Sequence, residues 1–316
     1  MGSPTPVELK PVDIAAWAAG NTGIPYVTSL TADQPGPHVV VTALTHGNEL
    51  CGAHALKFLF DHKIAPRRGR LTLAFANVAA YRQFDARQPI ASRYLDEDLN
   101  RVWSPAVLDG ARQSRELARA RELRPLIETA DFLLDIHSMQ STSPALMLCG
   151  TQAKGRELAA AVGYPAYVVA DAGHAAGTRM RDYGAFADAA RPQTALLVEC
   201  GQHWQMATRA VAIETTLRFL LAVEAIAPQA AQPHLAPEPP APQHHIEVTE
   251  AVPITSDGFA FVQDYNGLDI IPERGTVIGH DGDRPVATPY DNCVLVMPTR
   301  RLQRGQTAVR FGRLLD

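Results

Sequence analysis

The chain has 316 residues, 46% of them hydrophobic and 20% charged, with a formal net charge of -4. That length suits one large domain, or one large and one small, in an ordinary globular chain. The lack of any basic block excludes a nucleic-acid binder, no apolar run is long enough to span a bilayer, and four scattered cysteines exclude zinc-finger and redox motifs.

Strands and helices alternate along the first two thirds of the chain. The N-terminal stretch MGSPTPVELKPVD carries no signal-peptide pattern, and Pro6 breaks the myristoylation pattern, so a cytoplasmic protein with reduced thiols is expected. PHVVVTAL (37–44) reads as a buried strand and ELCGAHALKFLFDH (49–62) as an amphipathic helix. LTLAFANV (71–78) is a second strand. The stretch 114–130 is helical by charge pattern and apolar spacing, with an interruption expected at Pro125. DFLLDIH (131–137), ALMLC (145–149), AYVVA (166–170) and TALLVEC (194–200) are further strands, and 207–226 is a long amphipathic helix. Continuous apolar strands alternating with helices predict an α/β fold: a mostly parallel mixed sheet flanked by helices.

The composition then changes. APQAAQPHLAPEPPAPQHH (227–245) is rich in proline, alanine and glutamine and reads as a semi-rigid linker, His244 and His245 included. Short β-like stretches with turn signals follow: HIEVTEAVPIT, GFAFVQDY, GTVIGHDG, NCVLVMPT and TAVRFGRLL. The expected organisation is a catalytic domain over 1–226, a linker over 227–246 and a small all-β domain over 247–316.

Three strand ends carry the chemistry. His46-Gly47-Asn48-Glu49 sets an imidazole and a carboxylate three residues apart at a strand-to-helix junction, a pairing that suits zinc. His137, at the end of DFLLDIH, supplies a third ligand, and sites in open α/β sheets gather beyond the carboxyl ends of the strands. Glu199 ends a third strand in the same way. With the metal already holding three ligands, it is cast as a general base that takes a proton from the attacking water and passes it to the leaving nitrogen. Between these, SRYLDEDLNRVW (92–103) offers Arg93, Asn100 and Arg101, a set suited to carboxylate recognition.

The set of HGNE, RYLDEDLNRVW with its eight-residue step from Arg93 to Arg101, strand-end DIHS and strand-end glutamate resembles the succinylglutamate desuccinylase/aspartoacylase family of the zinc carboxypeptidase-like superfamily. The Pro-rich junction and the following β module fit the same branch. The resemblance spans residues 38 to about 310. It implies one Zn2+ per chain on His46, Glu49 and His137. Arg93 would polarise the scissile carbonyl and stabilise the oxyanion, Asn100 and Arg101 would hold a substrate carboxylate, and Glu199 would be the base. It also implies a further carboxylate-reading arginine, for which Arg179 is the best counterpart with Arg181 and Arg191 as rivals, and a tyrosine from the β module over the site, for which Tyr290 is the candidate.

Other residues are set aside. His203 and His174 fit loop positions, His174 in a solvated one. His54 lies on the helix behind the metal motif, and Cys51 and Cys200 flank the site as small buried residues. Asp135 faces the same side of its strand as His137 and could orient it. The expected activity is a zinc-dependent amidohydrolase that deacylates an N-acyl amino acid or similar small carboxylate, with no nucleic-acid or membrane partner; a homo-oligomer is compatible with the sequence. The rival readings are a metallocarboxypeptidase acting on peptide-like conjugates and a non-catalytic zinc-containing carboxylate-binding protein.

Overall fold

The structure, a computed structural model, describes residues 6–174 and 176–315. Fourteen strands are formed among them: β1 Val27–Thr31, β2 His38–Ala43, β3 Arg70–Phe75, β4 Phe132–Met139, β5 Leu146–Leu148, β6 Tyr167–Ala170, β7 Thr194–Gln202, β8 His244–Pro253, β9 Phe259–Phe261, β10 Asp269–Ile271, β11 Val277–Asp281, β12 Arg284–Ala287, β13 Cys293–Val296 and β14 Thr307–Leu314. Eleven of them make one sheet, in the order β1-β3-β2-β4-β7-β5-β6-β8-β14-β13-β10, and β12-β11-β9 make a second, antiparallel one. The centre of the large sheet, β3-β2-β4-β7, is parallel. The expected α/β fold is therefore present, with antiparallel strands at both flanks.

The alternation of side chains explains why these strands are apolar throughout. Val39 and Val41 of β2, with Leu134 and Ile136 of β4 and Leu196 and Val198 of β7, join the core on one face. Val40, Leu133 and Ala195 join the core on the other. Successive residues point to opposite faces, and both faces are covered, so polar alternation has no place here. The helices Leu50–Asp61 and Ala207–Ala222 pack on the first face and the helix Arg115–Glu128 on the second.

The interruption expected at Pro125 does not occur. The helix begins at Ser114, whose side chain accepts from Leu117 N, and runs through Pro125 to Glu128. Leu117, Ala120, Leu123, Leu126 and Ile127 form one buried face that continues past the proline. That packing outweighs the lost backbone hydrogen bond.

The other difference concerns the junction. His244 and His245 are not linker: they open β8, which pairs parallel with β6 from Tyr167↔His244 onward. The edge of β6 would otherwise present unpaired backbone groups, and β8 covers it. β14 pairs with β8 over its whole length, so the C-terminal strands extend the central sheet. They also carry an apolar cluster of their own, including Val252, Phe259, Ile278, Leu295 and Phe311. No helix among the described residues is long and apolar enough to cross a membrane, and all four cysteines are free and buried.

Candidate active site

Beyond the carboxyl end of β2 the chain turns sharply at buried Leu44 (φ 61°) and delivers Thr45 and His46 over the sheet edge. Gly47 then passes close under a neighbouring loop, its N–H donating to Arg93 O at 3.0 Å. A Cβ on Gly47 would lie 2.4–2.5 Å from the backbone of Ala80, Tyr81 and Ser92, so only glycine fits between the histidine and the glutamate. Glu49 is the N-cap of the helix Leu50–Asp61 but makes no cap bond with its side chain. That carboxylate is turned to the histidines instead.

His46 Nδ1 lies 2.7 Å from Glu49 Oε1, and His137 Nδ1 lies 2.8 Å from Glu49 Oε2. One potential ligand atom from each of the three residues lies within 4.8 Å of the others, and all three residues are buried. The far side of each ring faces an acid: His46 Nε2 is 2.9 Å from Asp98 Oδ1, and His137 Nε2 is 2.6 Å from Asp135 Oδ2. Asp135 Oδ1 in turn accepts from Thr42 Oγ1 at 2.7 Å and Thr45 Oγ1 at 2.8 Å. At His137 the Asp135 carboxylate can hold the proton on Nε2 and leave the Nδ1 lone pair for a cation. His46 Nε2 also lies 2.9 Å from Arg93 Nη2, a donor. Two imidazoles and a carboxylate converging on one point are a donor set that fits Zn2+ with one coordination position open. Burial raises the pKa of Glu49, yet the charges of His46 and His137 outweigh it and hold the carboxyl well below its ordinary range.

Glu199 stands opposite His137 on the adjacent parallel strand. It is buried, and its Oε2 has no hydrogen-bond partner among the described residues. Desolvation pushes its pKa up to about 8, against the lowering effect of His137. A buried carboxyl group with a perturbed pKa beside the histidines is a candidate for proton transfer.

Arg93 reaches the same spot. Its Nη2 donates to Asp98 Oδ2 at 3.1 Å, and Nη1 is 3.4 Å from Glu49 Oε1. Asn100 and Arg101 sit in the 3-10 turn Leu99–Arg101, which Asp98 caps by accepting from Asn100 N. Asn100 Oδ1 accepts from Met180 N at 2.9 Å, and Trp103 N donates to Thr178 O at 3.2 Å. These bonds clamp the segment 178–180 against the motif and bring Arg179 in beside Arg101. Arg179 is buried, donates from Nε to Asp182 Oδ2 at 2.5 Å and from Nη1 to Asp171 Oδ2 at 3.0 Å, and keeps Nη2 without a partner among the described residues. Burial, with Arg93, Arg179 and Arg310 nearby, pulls the pKa of Arg101 down to about 10, the sign of a cation short of counter-charge.

His46, Glu49, Arg93, Asp98, Asn100, Arg101, His137, Arg179 and Glu199 line a cavity of about 160 Å3. Of the three rival arginines only Arg179 lines it: Arg181 faces a different pocket, and Arg191 is exposed. Tyr290, expected over the site, does not line the cavity. Its hydroxyl is 2.7 Å from Thr249 Oγ1 and Arg313 lies 4.3 Å from its ring centroid, contacts that hold it within the C-terminal strands. His174 does line the cavity, in contrast to the solvated loop expected for it. Burial, with Arg101, Arg310 and Arg179, depresses its pKa to about 3. His203 is buried behind His137, 2.8 Å from Ser138 Oγ, and His54 bonds Lys10 O away from the site.

Two contributors were not singled out in the sequence. Asp98 is one of three acids in DEDLNR, and spacing alone does not choose among them. Arg310, on β14, is buried, lines the cavity and lies 3.2 Å from Asp171 Oδ2 without hydrogen-bond alignment. It is far away in sequence, and no local signal marks it.

Fold and site together define an α/β protein with a buried His-Glu-His group at its strand ends that could hold a metal ion. The chain belongs to the succinylglutamate desuccinylase/aspartoacylase family: residues 35–227 match the Succinylglutamate desuccinylase/Aspartoacylase catalytic domain. It is 29% identical over 126 residues to the N-acyl-aromatic-L-amino acid amidohydrolase (carboxylate-forming) of Rattus norvegicus, a match covering 36% of this chain and 37% of that relative. The Xenopus laevis protein of the same name is 31% identical over 123 residues, covering 36% and 38%. The matched stretch thus spans little more than a third of these relatives. Among solved structures, succinylglutamate desuccinylase from Vibrio parahaemolyticus superposes with a TM-score of 0.67 at 18% identity, covering 92% of this chain and 87% of that one. Murine aminoacylase 3 gives 0.61 at 19%, covering 90% and 97%. At such identities these likenesses speak for the fold.

Proposed function

We propose that the chain is a zinc-dependent amidohydrolase that cleaves the amide bond of an N-acyl amino acid or similar small carboxylate. The observation that carries this reading is the convergence of His46, Glu49 and His137 on one point, with Glu199 on the neighbouring strand, whose Oε2 has no partner among the described residues. When bound on those three residues, zinc supplies Lewis acidity and makes water nucleophilic near neutral pH. The chain's own residues do the rest. Arg101 and Arg179, with Asn100 beside them, hold the substrate carboxylate. Arg93 faces the charge that develops on the carbonyl oxygen. Glu199 takes one proton from the attacking water as the new C–O bond forms, and returns it to the amide nitrogen as the C–N bond breaks. The products are a free carboxylic acid and an amine. The small, arginine-lined cavity favours compact anionic substrates over long peptides.

The test is elemental analysis of the purified protein, paired with hydrolysis of N-acyl amino acids and C-terminally free peptides before and after chelation. Near-stoichiometric zinc and chelator-sensitive release of a free amino acid are expected. Turnover of peptides alone would favour a carboxypeptidase, and zinc without turnover of any substrate would favour a carboxylate-binding protein.

A further inference from the structure

A second pocket, of about 240 Å3, lies at the opposite end of β7 from Glu199, where Thr194 and Ala195 begin the strand. It opens on the N-terminus of the helix Ala153–Val162, whose N-cap, Gln152, makes no side-chain cap bond. The backbone amides from Gly150 to Gly155 find no acceptor among the described residues. Buried Arg181, 5% exposed, lines the same pocket. Its guanidinium lies so close against Gly150 that a Cβ there would be 2.7 Å from both Nη atoms. Nη2 donates to Cys149 O and Ala195 O, while Nε has no partner among the described residues. Lys154 and Arg181 line the pocket with Asp171 and Asp182, and both carboxylates are shared with arginines of the catalytic cavity, Asp171 with Arg179 and Arg310 and Asp182 with Arg179. The Lys154 ammonium is already held by the carbonyls of Ala185, Asp188, Arg191 and Gln193, so the donors without a partner among the described residues are the amides and Arg181 Nε.

Unmet backbone donors at a helix N-terminus beside a buried guanidinium call for a small oxyanion. We propose that this pocket is a second anion site, distinct from the catalytic cavity, which takes a free phosphate or carboxylate on the Gly150–Gly155 amides and Arg181. The site is linked to the catalytic cavity through one carboxylate. Asp182 accepts from Arg181 Nη1 with Oδ1 and from Arg179 Nε with Oδ2. An anion that draws Arg181 toward itself leaves Asp182 to Arg179, binding Arg179 more firmly and withdrawing it from the substrate. This coupling rests on the reading of Arg179 given above; the binding site does not.

The test is titration of the isotopically labelled full chain with inorganic phosphate and, separately, acetate, against sodium chloride at matched ionic strength. The backbone amides of Gly150 and Gly155 are followed by NMR. Saturable shifts of both amides are expected, and which anion produces them distinguishes phosphate from carboxylate. Gln152→Asp places a carboxylate where it caps those amides, a substitution that favours the helix, and lowers anion affinity by about tenfold or more. Gln152→Ala adds no charge and keeps the response. No shift with either anion in the wild-type chain, or equal shifts in Gln152→Asp, would overturn the site. The coupling is read from substrate KM. Phosphate raises KM more in the wild-type chain than in Gln152→Asp, in which only direct competition at the catalytic cavity remains. An equal rise in both overturns the coupling, and the amide shifts then tell failure of the link from failure of the site.

Discussion

His137 and Glu199 face each other in register across the parallel strands β4 and β7, one in the His-Glu-His group that could hold a metal and the other with a carboxylate oxygen that has no partner among the described residues. The pairing means that the proposed metal ligand and the proposed proton carrier are fixed by the same backbone ladder. Replacing Glu199 with Gln conserves shape and removes the proton acceptor. Turnover is expected to fall by about 10²–10⁴-fold while metal content stays at the wild-type value. Steady-state rates with elemental analysis check this, and retained turnover would remove Glu199 from the role of base.

Asp135 sets the orientation of His137 through a 2.6 Å contact at Nε2, and Thr42 and Thr45 fix Asp135 in turn. Asp135→Asn is expected to weaken metal binding by about 10–100-fold. The readout is competition with a chromophoric chelator. An unchanged affinity would mean that the ring is held by packing alone.

Arg310 reaches the cavity from β14, outside the segment that carries every other proposed catalytic and metal-binding residue. Arg310→Met keeps much of the apolar stem and removes the charge. KM should rise by about tenfold with little change in kcat or zinc content, the pattern of lost ground-state binding. If kcat falls and KM does not move, Arg310 acts on something other than substrate capture.

Gly47 has backbone atoms within 2.4–2.5 Å of any Cβ it would carry. Gly47→Ala must push His46 and Glu49 away from the loops holding Ala80 and Ser92. A loss of about 2 kcal/mol in unfolding free energy is expected, together with weaker metal binding. Urea denaturation and metal titration of the variant check both effects.

His38 supplies a pH dependence away from the site. Burial first, and Arg70 second, lower its pKa from 6.5 to about 4. The unfolded chain therefore takes up this proton at higher pH than the folded chain does. Stability contributed here is complete above about 6.5 and is lost as pH falls toward 4, by up to roughly 3 kcal/mol. Urea midpoints compared at pH 7 and 4.5 should show this slope in the wild-type chain and a smaller one in His38→Gln.

Much of the fold and of the candidate site was legible in the sequence, and the reason is local. The apolar runs of β2, β4 and β7 cannot be exposed, and each ends on a residue that a core has no use for: His46 with Glu49, His137 and Glu199. A strand end places its next side chains at the sheet's edge whatever the rest of the chain does. The run from Arg93 to Arg101 likewise keeps its functional residues within one short loop and turn.

What only the tertiary structure decided depends on pairings between distant segments. Nothing in the spacing separates Arg179 from Arg181 and Arg191. The bond from Met180 N to Asn100 and that from Trp103 N to Thr178 turn the first into the cavity, while Arg181 is drawn to Cys149 and Ala195. Tyr290 lies in the expected module, yet Thr249 and Arg313 hold it elsewhere, and Arg310 arrives instead because β14 pairs with β8 and β8 with β6. The sequence by itself therefore determined the alternating α/β frame and the residues at its strand ends, since side-chain period and burial are properties of a few neighbouring positions. The arginines that complete the cavity were decided by strand register and loop clamps, which form only when residues tens to hundreds of positions apart meet.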